Sequence, residues 1–260
     1  MPEGDSVAGD AARLRPVLLG NRIEAVAGTS SRVRANSPRL LDATVTEIRT
    51  AGKHLVMDFS SGYSLHIHLG MSGRWEIGDR DRRPHGSARV VLYTSTHQAA
   101  CYSAPSIDVD RTGLIDRALT HLGPDVVTGL DVDVFVRRAR SRGDRPIAAT
   151  LLDQRVMSGV GNVYKSELLF LAGIHPWTRT ADVTDEQLRD LGGRAHHLVS
   201  ANVGQRRTTT GSPRRGQETW VYGQAGHGCV RCGTRIELGR LDGRVTYWCP
   251  TCQPARFEPS

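Results

Sequence analysis

Residues 229–252, CVRCGTRIELGRLDGRVTYWCPTC, hold two Cys-x2-Cys pairs with sixteen residues between them. Four thiolates at this spacing can surround one Zn²⁺ tetrahedrally, which leaves no coordination position for a reactive water. We therefore predict one structural Zn²⁺ bound by Cys229, Cys232, Cys249 and Cys252. The alternative is a pair of disulfides, which the lack of an apolar secretory segment at the start of the chain disfavours.

A β-hairpin is predicted between the two cysteine pairs. Residues 235–238 and 245–248 have the pattern of short strands, and Asp242-Gly243 is a dipeptide that tight hairpin turns prefer. Arg244 is then at the tip of the hairpin, where its guanidinium can bind a phosphate group with two hydrogen bonds. The alternative is an ordinary solvated arginine in a turn.

The composition is that of a globular chain with a basic surplus. The 260 residues are 38% hydrophobic and 5% aromatic, and no run approaches the roughly 20 apolar residues that span a membrane. The 34 Lys and Arg against 27 Asp and Glu give a net charge of +7, which favours a polyanionic partner such as nucleic acid. Two arginine clusters contribute to it: Arg137, Arg138, Arg140, Arg142 and Arg145, then Arg206, Arg207, Arg214 and Arg215.

The first half of the chain predicts one helix followed by strands. Apolar residues recur at helical spacing over residues 6–19, and Gly20 is a stop signal. Short alternating runs over residues 22–103 predict an antiparallel sandwich or barrel, with residues 76–88 as a loop. His66 and His68 share one face of a strand, and we expect a polar or DNA-facing surface there in preference to a metal site. Cys101 has no partner at ligand spacing and is expected to be a small buried residue.

The second half predicts helices. A turn at Gly123-Pro124 places a domain boundary near residues 125–130. Helical patterns then run from the arginine cluster through residue 154, over residues 163–172, and over residues 185–201, where Thr184 and Gln187 form a capping box. Residues 203–217, rich in Gly, Ser, Thr and Arg, are a linker or a DNA-facing loop.

A short glycine-containing turn separates two of these helices. In Ser158-Gly159-Val160-Gly161-Asn162 the glycines let the backbone approach a ligand, and the helix that follows presents unsatisfied N–H groups and a positive dipole end. The arrangement predicts a helix-turn-helix-like clamp on a DNA phosphate.

Seven short motifs occur in order along essentially the whole chain. They are Met1-Pro2-Glu3-Gly4, Gly52-Lys53-His54-Leu55, His68-Leu69-Gly70-Met71-Ser72-Gly73, Leu122-Gly123-Pro124, Gly161-Asn162, Val221-Tyr222-Gly223 and Tyr247-Trp248-Cys249-Pro250-x-Cys252-Gln253. Together they resemble the formamidopyrimidine-DNA glycosylase/endonuclease VIII (Fpg/Nei) family. The opening Met-Pro-Glu-Gly-Asp and Thr208-Thr209-Thr210-Gly211 are most similar to its actinobacterial endonuclease VIII-like branch.

The resemblance implies a bifunctional DNA glycosylase/AP lyase of base excision repair. With the initiator methionine removed, the secondary amine of Pro2, with an α-amine pKa of about 7.7–8.0, is partly neutral near pH 7. It can attack C1′ of a damaged nucleoside, and the resulting Schiff base permits strand cleavage by β,δ-elimination. Glu3 is implied as the proton shuttle, and Lys53 as a lysine that contacts DNA and assists proton transfer. The alternative is that Pro2 serves only as a first-turn helix residue, a role that needs no free amine. Pro2 precedes the predicted helix by several residues, which argues against this alternative.

The resemblance also implies which residues bind DNA, and where this chain departs from the family. Asn162 and Arg244 match the phosphate-binding pair on either side of an extruded nucleotide. Ser6 stands where many relatives carry a second acid. Met71 matches the methionine that fills the vacated base stack in the oxidised-purine glycosylases, but residues 106–112 offer Arg111 and no phenylalanine. We therefore expect oxidised pyrimidines as substrates, with bulky or unusual lesions as the alternative.

The predicted fold class is α+β and multidomain. Residues 1–125 form an N-terminal helix plus antiparallel β-sandwich, residues 126–217 a helix-two-turn-helix domain with a basic loop, and residues 218–260 a four-cysteine zinc-finger β-hairpin. The expected partner is damaged double-stranded DNA, with single-stranded or bubble DNA as further candidates, bound by a monomer that is cytoplasmic and associated with the nucleoid. A competing hypothesis is a catalytically silent damaged-DNA-binding protein. A sequence-specific zinc-finger regulator is disfavoured because no recognition helix lies between the ligand pairs.

Overall fold

The computed structural model describes residues 1–212 and 216–255, so Arg214 and Arg215 of the second arginine cluster lie outside the described residues. The chain divides into two compact units, residues 1–121 and residues 122–260. No helix within the described ranges is long and apolar enough to cross a membrane.

The first unit combines helices with two antiparallel sheets. Its elements in chain order are α1 (Gly4–Leu18), β1 (Ala25–Ala27), α2 (Ser31–Leu40), β2 (Val45–Ala51), β3 (His54–Phe59), β4 (Tyr63–His68), β5 (Arg74–Asp79), β6 (Ala88–Tyr93), β7 (His97–Tyr102), β8 (Ser106–Arg111) and α3 (Thr112–Leu119). One sheet has the strand order β1-β6-β7-β5 and the other β2-β3-β4-β8. The predicted helix plus β-sandwich is confirmed.

Helix α1 packs its apolar face on both sheets. Val7, Ala11, Leu14 and Leu18 are all fully buried, and the helix contacts β2 and β3 of one sheet and β5 and β7 of the other. Burying one such side chain contributes roughly 1.5–3 kcal/mol. The helix begins at Gly4 with Glu3 as its N-cap, so the prediction that the proline precedes the helix by several residues is wrong.

The sandwich core is built from both sheets. Leu65 and Ile67 of β4 are fully buried in the same cluster as Trp75 of β5 and Leu92 of β6. Alternation along β4 accounts for this, because side chains two residues apart lie on the same face of a strand.

The loop predicted over residues 76–88 is shorter than expected. Strand β5 continues to Asp79, which pairs with His97 of β7, and β6 begins at Ala88. The polar composition of residues 76–79 indicated a loop, but pairing with β7 satisfies their backbone groups within the sheet.

The second unit is helical with a C-terminal hairpin. Its described elements are α4 (Val132–Arg140), α5 (Ile147–Leu152), α6 (Asn162–Ala172), a 3₁₀ turn (Thr180–Asp182), α7 (Asp185–Ala201), β9 (Glu237–Leu241) and β10 (Arg244–Trp248). Helix α6 packs against α5, α7 and β10. The capping box of Thr184 and Gln187 is confirmed. The helical pattern predicted from the arginine cluster through residue 154 is broken in two, because α4 ends at Arg140, Pro146 precedes α5, and α5 ends at Leu152.

The hairpin turn is confirmed and its first strand is displaced. Asp242 and Gly243 have φ of 48° and 75°, the left-handed pair of a type I′ turn, and Arg244 opens β10 directly after them. The first strand was predicted at residues 235–238 but lies at Glu237–Leu241, because a two-residue turn pairs the residues that flank it, here Leu241 with Arg244. Arg235 instead forms a bridge with Gly228.

Candidate functional site

The amino-terminal residues predicted to be catalytic lie at the start of α1. Glu3 is fully buried and caps the helix, and its carbonyl accepts hydrogen bonds from the N–H groups of Ser6 at 3.0 Å and Val7 at 3.1 Å. Pro2 is the half-buried residue immediately before it. At the position where relatives carry a second acid, the Ser6 hydroxyl donates to the buried carboxylate of Asp5 at 3.2 Å.

Lys53 lies in the two-residue turn that joins β2 to β3. The turn is closed by the pairing of Ala51 with His54, and Gly52 has φ of 60°, as the first residue of such turns often has. Strand β3 begins one residue after Lys53, so the lysine belongs to the turn. Because α1 contacts both β2 and β3, the turn and the amino terminus belong to one packed unit.

The predicted histidine pair is part of a cluster of three half-buried rings. His54 Nδ1 lies 2.8 Å from His66 Nε2, and the His54 ring centroid is 5.0 Å from that of His66 and 4.9 Å from that of His68. Burial, then the neighbouring rings, lowers the pKa of His54 to about 3. The same burial lowers the pKa of His66 and of His68. The neutral form of all three rings is therefore favoured, and the expected polar or DNA-facing surface at His66 and His68 stays a prediction.

Met71 lies on an exposed turn between β4 and β5 with 75% of its surface accessible. Two glycines make the turn possible: a Cβ at Gly70 would lie 2.6 Å from Pro105, and one at Gly73 would lie 2.3 Å from the carbonyl oxygen of Leu69.

Arg111 does not join Met71. In the pairing of β4 with β8, Arg111 lies opposite Tyr63, whereas Ser106 lies opposite His68, at the end of β4 nearest to Met71. Five residues of extended strand, about 17 Å, separate the two ends. No residue of β8 supplies the missing phenylalanine.

The turn that is predicted to form a phosphate clamp lies between α5 and α6. Gln154 organises the turn, because its Oε1 accepts from the Gly159 N–H at 3.0 Å and its Nε2 donates to the Val160 carbonyl at 2.9 Å. Gly159 has φ of 100°, a conformation that favours glycine. Asn162 is then the first residue of α6, with 8% of its surface exposed.

The structure brings Asn162 next to the hairpin strand that follows Arg244. Asn162 Nδ2 donates to the carbonyl of Val245 at 2.8 Å, and Val245 is the neighbour of Arg244 in β10. Arg244 is exposed, and the described residues provide no acceptor for its guanidinium. The two residues therefore belong to one corner of the second unit, open to an anion.

The four cysteines fit a zinc ion. Their Sγ atoms all lie within 4.8 Å of one another, with 3.5 Å between those of Cys232 and Cys249 and 3.9 Å between those of Cys229 and Cys252. Tetrahedral Zn–S bonds of about 2.3 Å place sulfurs roughly 3.8 Å apart, whereas a disulfide requires about 2 Å. The set fits one structural Zn²⁺, and the disulfide alternative does not hold in this structure.

Cys101 is a fully buried residue of β7 and no metal ligand. Burial, with the carboxylate of Asp10 nearby, raises the pKa of this thiol to about 12. The thiol is therefore inert at neutral pH, as expected from its lone position in the sequence.

The first arginine cluster is largely used within the protein. Arg140 donates to Asp185 and to three carbonyl groups, Arg142 and Arg145 pair with Asp153, and Arg138 donates to the carbonyls of residues 122 and 155. Only part of this cluster's charge is therefore available to a partner.

Two buried ionisable residues of α6 were not predicted as functional from the sequence. Lys165 is fully buried, and its Nζ donates to Asn162 Oδ1 at 2.8 Å. Glu167, also fully buried, accepts hydrogen bonds from the backbone N–H groups of residues 220, 221 and 222 at 2.7–2.9 Å and from the Thr209 hydroxyl. Burial raises the pKa of Glu167, and these hydrogen bonds oppose that rise. Both could have been identified from the sequence, because they are charged residues within an otherwise apolar predicted helix.

The fold and the site define one class of protein. This class combines a β-sandwich unit that begins with an N-terminal helix, a helix-two-turn-helix unit and a four-cysteine finger. Residues 1–106 match the Formamidopyrimidine-DNA glycosylase N-terminal domain, residues 122–213 the Formamidopyrimidine-DNA glycosylase H2TH domain, and residues 226–255 the zinc finger found in FPG and IleRS. The chain belongs to the Fpg/Nei family.

Relatives from actinobacteria are similar over the whole length. "DNA-(apurinic or apyrimidinic site) lyase Nei2" of Mycolicibacterium smegmatis is 41% identical, covering 98% of this chain and 100% of its own. "Endonuclease 8 2" of Mycobacterium tuberculosis is 39% identical over 97% of this chain and 100% of its own. Among solved structures, Lactococcus lactis Fpg in complex with DNA containing an abasic site superimposes with a TM-score of 0.86, at 23% identity, over 97% of this chain and 100% of that one. This last likeness concerns the fold.

Proposed function

We propose that this protein is a bifunctional DNA glycosylase/AP lyase of base excision repair that removes oxidised pyrimidines. The observation that carries the proposal is the placement of Pro2 and the buried Glu3 at the very start of α1, in a chain whose N-terminal domain matches the family from residue 1. The relatives named endonuclease 8 and AP lyase, at 39–41% identity, support it.

In the proposed reaction, removal of Met1 makes the ring nitrogen of Pro2 the nucleophile. The nitrogen attacks C1′, the glycosidic bond breaks, and the base leaves with its electron pair and takes up a proton. Loss of a proton from nitrogen as the sugar ring opens gives an iminium, which acidifies the C2′ hydrogen. Removal of that hydrogen expels the 3′ phosphate, and a second elimination expels the 5′ phosphate. The positive end of the α1 dipole disfavours a protonated amine nearby and so favours the nucleophilic form.

Glu3 is the proposed proton carrier. A carboxyl group next to the nucleophile can protonate the opening sugar oxygen and later accept a proton during elimination. Lys53 is proposed to contact the DNA backbone and to assist these transfers from its turn between β2 and β3.

DNA binding is assigned to Asn162, Arg244 and the finger. The exposed guanidinium of Arg244 and the first turn of α6 offer donors to phosphate oxygens, and the Zn²⁺ held by the four cysteines keeps the hairpin folded. An enzyme that acts on a base within a duplex must extrude the nucleotide, and Met71 is proposed to enter the vacated stack.

The proposed preference for oxidised pyrimidines depends on which residues accompany Met71. Arg111 pairs at the far end of β8 and no phenylalanine accompanies it, so the three-residue wedge of the purine-specific enzymes is incomplete. Residues 1–125 are proposed to carry the chemistry, residues 126–217 the helical clamp and residues 218–260 the finger. We further propose a monomer that acts on damaged duplex DNA in the nucleoid.

Borohydride trapping on a duplex with an abasic site tests the proposal. The processed protein is expected to form a covalent complex, and the same protein with an N-terminal extension that blocks the Pro2 amine is expected to form none. Full trapping by the extended protein would exclude an N-terminal amine. Tight binding without trapping or cleavage by the processed protein would support the catalytically silent alternative. A panel of oxidised pyrimidine, oxidised purine and bulky lesions then tests the substrate class.

A further inference from the structure

Lys165 of α6 is fully buried and connects the first turn of its helix to the zinc hairpin. Its Nζ donates to Asn162 Oδ1 at 2.8 Å, to the carbonyl of Val245 at 3.1 Å and to the hydroxyl of Thr246 at 2.7 Å. Two of these acceptors belong to β10, about 80 residues further along the chain.

We propose that Lys165 is a positioning residue for DNA binding, which fixes the side-chain amide of Asn162 and holds β10, with Arg244, beside it. The inference rests on the proposed function, because it assigns to Lys165 the geometry of the phosphate-binding pair. Lys165 itself is too deeply buried to touch DNA.

Lys165 determines how the side-chain amide of Asn162 is oriented. An ammonium group has donors and no acceptor, so the atom of Asn162 that faces Nζ must be Oδ1. This leaves Nδ2 to donate to Val245, and Nδ2 carries a second hydrogen for an anion. Without the ammonium, the amide could rotate by half a turn and present its oxygen, which phosphate repels.

Lys165 also holds the second strand of the hairpin against α6. Nζ contacts the two residues that follow Arg244 in β10, and Thr246 is fully buried. A strand held at both positions cannot slide or twist away from α6 without breaking hydrogen bonds that are screened from water. The phosphate donors of α6 and of the hairpin are therefore kept at a fixed spacing before DNA arrives, which lowers the ordering cost of binding.

The test is a double-mutant cycle on equilibrium binding to a duplex that contains a stable abasic-site analogue. Lys165→Met keeps the length of the side chain and removes the ammonium, and Asn162→Ala removes the amide. We expect each variant to bind about tenfold more weakly, and the double variant to bind no more weakly than either one, because both changes remove one contact. The zinc content of every variant is expected to stay at the wild-type value.

Ser166→Ala is the matched control. Ser166 is fully buried in the same turn of α6. Its hydroxyl donates a hydrogen bond to the main-chain carbonyl of Asn162 and not to the side-chain amide. We expect this variant to lose stability without losing affinity, so a loss of affinity confined to Lys165→Met separates positioning from stabilisation.

Thr246→Val provides a second variant in case Lys165→Met does not fold, since it removes one acceptor and leaves Lys165 in place. We expect a two- to threefold loss of affinity that disappears in the Asn162→Ala background. Wild-type affinity in folded Lys165→Met or Thr246→Val, or losses that simply add to that of Asn162→Ala, would overturn the inference. A wild-type protein that neither binds nor cleaves damaged DNA would instead refute the proposed function.

Discussion

The buried side chain of Gln253 donates from Nε2 to the carbonyl of Ile174 at 2.9 Å. Its Oε1 accepts from the N–H of Cys249 at 3.0 Å. One amide thus links the second cysteine pair to the segment that ends α6, where Gly173 has φ of 66° and turns the chain. The finger is joined to the helical clamp by this hydrogen-bonded link as well as by the packing of β10 on α6.

Replacing Gln253 by Leu is expected to lower the free energy of unfolding by about 2 kcal/mol, because a buried donor and a buried acceptor both lose their partners. Chemical denaturation with zinc present measures the change. The control is Thr251→Ala, on the exposed side of the same turn, expected to change stability by less than about 0.5 kcal/mol. Equal effects of the two substitutions would mean that the hydrogen bonds of Gln253 make no specific contribution to the free energy of unfolding.

Replacing Cys249 by Ser is expected to release the metal and to raise amide hydrogen exchange throughout residues 229–252, because structural zinc contributes folding free energy directly. Metal analysis of the wild type should find one zinc per chain, and a chelator should reproduce the effect of the substitution. A metal-free wild type with unchanged exchange would contradict the assignment.

Arg244→Ala is expected to weaken DNA binding tenfold to a hundredfold, the loss of a charge-assisted contact worth about 1.5–3 kcal/mol. The slope of log affinity against log salt should fall by about one unit, equally for every lesion. Arg240→Ala is the matched control, because Arg240 pairs with Val245 and so lies on the other face of the hairpin. If Arg244→Ala changed lesion choice and left the salt slope intact, Arg244 would read the lesion.

Glu3→Gln is expected to abolish base excision while changing DNA affinity by less than about threefold, since a proton carrier is lost and no phosphate contact is removed. Binding and single-turnover excision measured on the same lesion duplex check this. Because the Glu3 side chain is buried at the start of α1, thermal unfolding of the variant must be compared with the wild type. Parallel losses of affinity and turnover would assign Glu3 a structural role.

Asp10 provides a pH-dependent test of the first unit. Burial, opposed by Arg13 at 3.4 Å, raises the pKa of this carboxyl to about 6 from 3.8. The protonated form therefore stabilises the fold fully below pH about 4, and this stabilisation is lost as the pH rises through 6. Asp10→Asn cannot ionise, so it should be more stable than the wild type at pH 8 by roughly 1–2 kcal/mol and no more stable at pH 4. Asp81→Asn, on the surface, is the control for the removal of one carboxylate.

Much of the fold followed from patterns that act over short distances in the chain. The cysteine spacing, the Asp242-Gly243 turn and the capping box of Thr184 and Gln187 each depend on residues within a few positions of one another. Apolar spacing likewise located α1 and the strand of Leu65 and Ile67. Sequence motifs alone also led to the family, which the comparisons confirmed.

Tertiary structure alone decided which charged and polar residues are used internally. Lys165 and Gln253 each have a partner about 80 residues away in the chain, and Arg140 donates to carbonyls more than 40 residues further on. His54 joins His66 and His68 only because β3 pairs with β4 in one register. The sequence determines which groups can donate, accept or ionise. Burial and long-range pairing fix which of them remain available to a ligand, because each buried polar group must find its partner wherever the chain brings one.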